Sequence, residues 1–122
     1  MQLTLENPDF RYLLRGVNVE GVLVNDKTIN RSFILTPHEL LENWRPTSIP
    51  ELVADDMQAL LQLNPVLVIL GTGIRQQFPS AAVMAACLTL GVGIEVMDNA
   101  AAARTFNVLA TEGRKVVAGF II

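Results

Sequence analysis

The sequence of 122 residues is short of the groups on which chemistry is usually built. It has one cysteine, Cys87, and one histidine, His38. A single thiol excludes a disulfide framework and a cysteine-rich zinc site. A single imidazole, followed by Glu39 and Glu42, falls short of a zinc motif and reads as a loop or helix-start residue. A cysteine–histidine nucleophile would have to join two residues far apart in the chain, and the apolar stretch around Cys87 raises a thiol's pKa rather than lowering it. Charge is scarce as well, at 17% of residues, with 12 Asp and Glu against 9 Lys and Arg and a net charge of −3. That balance supplies no basic surface for sequence-independent nucleic-acid binding. No apolar run reaches the length of roughly 18 residues expected of a membrane span. The opening residues, with Glu6 and Asp9 and no basic start, do not read as a signal peptide. Hydrophobic residues nevertheless make up 51% of the chain, which excludes a disordered segment. The expectation is one soluble, cytoplasmic domain over residues 1–122, with a reduced thiol.

The first third has strand character. Tyr12, Leu14, Val17, Val19, Val22 and Val24 surround Gly16 and Gly21, and residues 28–35 alternate after the turn cluster Asn25-Asp26-Lys27. Period two between polar turns predicts an antiparallel ribbon. Pro37, Pro46 and Pro50 punctuate a connector that holds His38 and Trp44. Ser48 and Glu51 have capping-box spacing ahead of Leu52, Val53, Met57, Leu60 and Leu61 at helical intervals, and Asn64-Pro65 ends that helix. From Val66 the order becomes strand (66–70), helix (81–90, capped by Ser80), strand (93–97), helix (to Glu112, capped by Asp98) and strand (116–122). Two right-handed crossovers joining neighbouring parallel strands predict an α/β fold. Its central sheet is mostly parallel, with helices on it and an added N-terminal β-ribbon.

Arg75 is the one charged residue between Asp56 and Glu95. The helix inside that stretch, residues 81–90, has no polar face. A helix that covers a sheet ordinarily shows water a charged stripe, and a domain this small has little mass with which to bury one on all sides. Val83, Met84, Cys87 and Leu88 are therefore candidate interface residues, covered by a protein partner or a second copy of the chain. The competing reading is that the ribbon or the C-terminal strand folds over them.

Gly71-Thr72-Gly73 directly follows a buried strand, where α/β sheets place ligands. Arg75, Asp98, Arg104 and Asn107 are candidates to join them at the sheet edge and hold a small anion. Dinucleotide binding is disfavoured: Gln76 stands where the glycine pattern needs its third glycine, and seven residues, Gly73 to Pro79, separate the turn from the helix at Ser80. Asp98 also reads as a helix cap, and the Arg104–Asn107–Thr111 face as a solvent-facing or partner-facing one. No catalytic signature, cofactor motif or metal-ligand set is present in the pattern.

Leu70-Gly71-Thr72-Gly73, Gln77-Phe78-Pro79-Ser80, Gly91 to Asp98, Ala103 to Leu109 and Glu112-Gly113-Arg114 stand in that order along the chain. They resemble a family of small α/β proteins of unknown function that includes the mitochondrial NADH:ubiquinone oxidoreductase complex assembly factor three. The resemblance implies a three-layer domain with a mixed central sheet, one strand antiparallel to the rest, and an extra N-terminal β-layer. It implies no established enzymatic activity, and for the mitochondrial relative a role in complex I assembly through another assembly factor. This sequence departs from the family at Ala103, where a cysteine often precedes the Arg-Thr pair. The favoured expectation is a non-catalytic protein-binding module without cofactor. The alternative is a small-molecule or anion-binding enzyme using Gly71-Gly73, Asp98 and Arg104.

Overall fold

The computed structural model describes residues 10–122. Glu6 and Asp9, on which the reading of the N-terminus rested, lie outside the described residues. A three-stranded antiparallel ribbon comes first: β1 (Leu14–Asn18), β2 (Gly21–Val24) and β3 (Lys27–Ile29). Two-residue loops, Val19-Glu20 and Asn25-Asp26, join its strands. Gly21 needs its glycine: φ is +144°, and a Cβ would collide with the Ile29 carbonyl.

The second sheet has five strands in the order β5-β4-β8-β6-β7, made of β4 (Phe33–Leu35), β5 (Leu40–Glu42), β6 (Leu67–Gly71), β7 (Gly93–Met97) and β8 (Val116–Phe120). β7, β6 and β8 are parallel, and β4 is antiparallel to both β8 and β5, so β4 alone runs against the rest. The ribbon expected over residues 28–35 therefore stops at Ile29. Ser32 marks the transfer: it is buried, its carbonyl accepts from Trp44 N at 2.9 Å, and its hydroxyl accepts from Ile122 N at 2.9 Å. Beyond it Phe33, Ile34 and Leu35 are buried on both faces, with Phe33 stacked on Phe120 at 4.9 Å between ring centroids. The second crossover also differs from expectation. It passes over β6, so that β8 adds on the far side of β6 from β7.

Opposite crossover directions put the helices on opposite faces. Helix α3 (Asn99–Thr111) shares one face with the ribbon, burying Ala102, Phe106 and Ala110 with Leu14, Val22, Val24, Phe33 and Phe120. Helix α2 (Ala81–Leu88) lies on the other face, where Val83 and Cys87 meet Ile34, Trp44, Leu60, Val68 and Leu70. Three layers result, with the mixed sheet in the middle.

The helix expected from Glu51 begins later, as a 3-10 turn at Ala54–Met57 followed by the short α1 (Gln58–Leu61). Glu51 is engaged elsewhere, since its carboxylate accepts from Thr47 N at 2.7 Å and from the Thr47 hydroxyl at 3.1 Å. Asp56 takes the capping role instead, accepting Val53 N at 2.9 Å, and Val53 is left half-exposed. Arg45 holds Asp56 in a two-pronged pair, Nε to Oδ1 at 2.7 Å and a terminal nitrogen to Oδ2 at 2.6 Å. The Arg45 guanidinium keeps the Asp56 carboxyl below the usual carboxylate range. Trp44 fixes the same connector, donating from its indole to the Asp56 carbonyl at 3.0 Å and packing its ring against Gly119 of β8.

Candidate functional site

β6 delivers the chain to Gly71, where a Cβ would meet the Asn99 amide oxygen and stand 2.9 Å from Phe120 Cδ1. Thr72 follows, 2% exposed. Its amide donates to the Met97 carbonyl at 2.9 Å; its hydroxyl donates to the Arg75 carbonyl at 2.7 Å and accepts from Gln77 N at 3.1 Å. Gly73, at φ +105°, donates its amide to Asn99 Oδ1 at 3.0 Å and accepts from Asn99 N at 2.8 Å. The other end of the Asn99 amide donates to the Ile121 carbonyl at 2.9 Å. One buried side chain thus ties together the loop after β6, the start of α3 and the end of β8.

A groove of about 460 Å³ opens beside this knot, lined by Thr72, Gly73, Arg75, Gln77 and Asn99 at the strand ends, by Asn18 and Gly21 of the ribbon, and by Ser48 of the connector. It lies at the carboxyl ends of the parallel strands, where the crossovers leaving β6 and β7 turn to opposite faces, the position at which open α/β sheets hold ligands. Its chemistry is closed, however. The Gly73 and Thr72 amides that would cradle a phosphate are spent on Asn99 and Met97, and Arg75 is the one cation in the lining. Asp98 caps α3, accepting Ala101 N at 2.8 Å, so the helix end nearest the groove already carries a carboxylate.

The candidate residues therefore divide. Gly71, Thr72, Gly73 and Arg75 gather at the switch point, and Asp98 stands beside them as a cap. Arg104 is exposed on α3. Asn107 is not at the sheet edge: its amide oxygen accepts Leu14 N at 2.8 Å and its nitrogen donates to the Leu14 carbonyl at 2.7 Å. It imitates a strand partner and pins β1 to α3. Sequence reasoning missed Asn99, whose signal was the Asp98-Asn99 pair after a strand: two short polar side chains at a helix start, of which one can cap.

The four candidate interface residues divide as well. Val83 and Cys87 are fully buried in the chain's own core, and burial pushes the Cys87 thiol up, away from reactivity. Met84 is half-buried, whereas Leu88 is 57% exposed, and Ala81, Ala82 and Ala85 face out beside it. The outward face of α2 carries no charge. Phe78 and Leu90, both exposed, flank the helix in the chain. Among the described residues no three His, Cys, Asp or Glu side chains group as a metal site requires, and no helix is long and apolar enough to cross a membrane.

Fold and site together define an α/β protein of three layers whose strand-end backbone amides are engaged within the chain itself. The same architecture occurs in a solution structure from Bordetella pertussis described as an Mth938-like domain, with a TM-score of 0.78 at 24% identity over 90% of this chain and 85% of that one. The chain belongs to the family described as protein of unknown function (DUF498/DUF598), which it matches over residues 14–121. A Xanthomonas campestris protein solved by NMR is 52% identical, with a TM-score of 0.84 over 100% of this chain and 92% of its own. Among curated proteins, the human NADH dehydrogenase [ubiquinone] 1 alpha subcomplex assembly factor 3 is 30% identical over 106 residues, 85% of this chain. The chain spans 57% of the length of that human protein.

Proposed function

We propose that this chain is a non-catalytic protein-binding module of the assembly-factor kind, which docks a protein through the outer side of α2. The observation that carries the reading is the uncharged helix face from Ala81 to Leu88, continued by Phe78 and Leu90. Contiguous apolar surface of a few hundred Å² is of the size at which patches begin to mark partner sites. The polar groups beside it support the same reading, because the Thr72–Asn99 knot satisfies itself and leaves no activated nucleophile or acid–base pair. The human relative's name extends the proposal to assembly of respiratory complex I, with this chain acting from the cytoplasm.

A tagged pull-down from native cells, run with light scattering on the pure protein, tests it. Wild type is expected to capture a partner or to self-associate. Leu88→Asp, with an unchanged melting temperature, is expected to do neither. A strict monomer at high concentration that binds no apolar dye and captures nothing overturns the reading.

A further inference from the structure

β7 is an edge of the sheet, hydrogen-bonded on one side to β6. Gly93 N donates to the Val66 carbonyl at 3.3 Å, and the Met97 carbonyl accepts from Thr72 N at 2.9 Å. Backbone groups of alternate residues in a strand point to opposite sides. Residues 93, 95 and 97 therefore face β6, while Ile94 and Val96 turn their backbone groups outward. Gln76 agrees with this parity: from the exposed loop after β6, its side-chain nitrogen donates to the Val96 carbonyl at 2.8 Å. That contact covers one outward group with an exposed side chain. Edges are ordinarily blunted by charged side chains, lysine above all, or by proline, a bulge, extreme shortness or a covering loop. β7 is five residues long with no lysine, proline or bulge; Glu95 is its one charge, and Gln76 covers one outward carbonyl. The Ile94 and Val96 side chains join the apolar cluster beneath α2, and Glu95 points to the opposite face.

We propose that β7 accepts an added strand from a partner protein. That strand is an extended segment with a basic residue opposite Glu95, flanked by apolar residues that lie beside Ile94 and Val96 on the α2 side. This rests on the protein-binding reading and specifies the partner's chemistry. A second copy fits poorly. If outward groups are to meet outward groups in an antiparallel pair, the fully overlapping register sets Ile94 against Val96 of the other copy and Glu95 against its own counterpart. That central pair is non-hydrogen-bonded, with Cα atoms about 4.5 Å apart, and like charges directly opposite are destabilising. A lysine or arginine in that position turns the same contact attractive.

Amide exchange at Ile94 and Val96, followed by NMR on the full chain, tests the proposal. The probes are two synthetic peptides, threonine–valine–arginine–valine–threonine and its central-glutamate counterpart. At ten times its Kd the arginine peptide should slow exchange at both amides about tenfold. The glutamate peptide should leave them unchanged, and Glu95→Lys should reverse the preference. Failure of both peptides to slow these amides at millimolar concentration, or equal slowing by both, overturns the proposal. So does slowing that depends on the protein's own concentration, which identifies a second copy. Partner capture that is lost in Leu88→Asp while the β7 amides stay unprotected refutes the added strand alone. Absence of any capture refutes the protein-binding reading beneath it.

Discussion

Replacing Asn99 by alanine is expected to destabilise the fold more than any change at the neighbouring cap, and the structure sets the scale. Asn99 is 5% exposed, and its amide serves two backbone groups of different accessibility. The Gly73 amide borders the groove, so water can partly replace its lost acceptor. The Ile121 carbonyl belongs to a residue that lines the same groove but is only 3% exposed, so water reaches it less readily. An orphaned buried backbone group costs about 1–3 kcal/mol. Taking about 1 kcal/mol for Gly73 and about 1–3 kcal/mol for Ile121 gives a loss of about 2–4 kcal/mol. In a chain of this length that lowers Tm by roughly 10 °C. Asn99→Asp should be no milder at neutral pH, because it keeps an acceptor for Gly73 but sets a carboxylate oxygen against the Ile121 carbonyl. Asp98→Ala removes only the cap on Ala101 and should cost about 1 kcal/mol. Urea denaturation followed by far-UV circular dichroism measures all three. An Asn99→Ala variant within about 0.5 kcal/mol of wild type, at unchanged m-value, would refute the account of Asn99 as the knot of the strand ends.

Two other consequences are open to direct measurement. The Asp56 carboxyl is held below its usual range first by its hydrogen bonds from Arg45. A depressed folded-state pKa stabilises above the unfolded value of about 3.9, and that contribution is lost as pH falls through the folded value. Asp56→Asn should therefore be less stable than wild type at pH 7, with the difference shrinking below pH 4; a constant gap across that range would contradict the pairing. Gly119→Ala would place a Cβ 2.7 Å from the Trp44 ring and 3.2 Å from Leu60, so it should cost about 1–3 kcal/mol and change tryptophan fluorescence. An unshifted denaturation midpoint would show that the indole can step aside.

Much of the fold could be read from residues whose pattern has one physical meaning. The aliphatic run is buried from Val68 to Leu70 because both faces of β6 are covered, although Val66 ahead of the strand is exposed, and Ser80 and Asp98 start their helices because each side chain accepts an amide three residues on. Legibility ended where a side chain had two possible employers. Glu51 had the spacing of a capping residue but is claimed by Thr47, and Asp56 does the capping. Phe33, Ile34 and Leu35 continue an alternating pattern, yet transfer to the other sheet because β8 offers an antiparallel partner that local sequence cannot show. At the candidate site the glycines and Thr72 were legible from their place after a strand. The role of Asn107 was not, because its partner lies 93 residues away.

The order β5-β4-β8-β6-β7 gives the strand furthest along the described chain a keystone's position. Among the described residues β4 and β6 do not pair, and β8 alone bridges them. On the ribosome, the earlier strands of this sheet must wait with their edges uncovered until these residues emerge, and such long-range pairing slows folding and leaves unfinished chains prone to aggregate. A stop codon shortly before Val116 would accordingly leave two unconnected half-sheets rather than a trimmed protein.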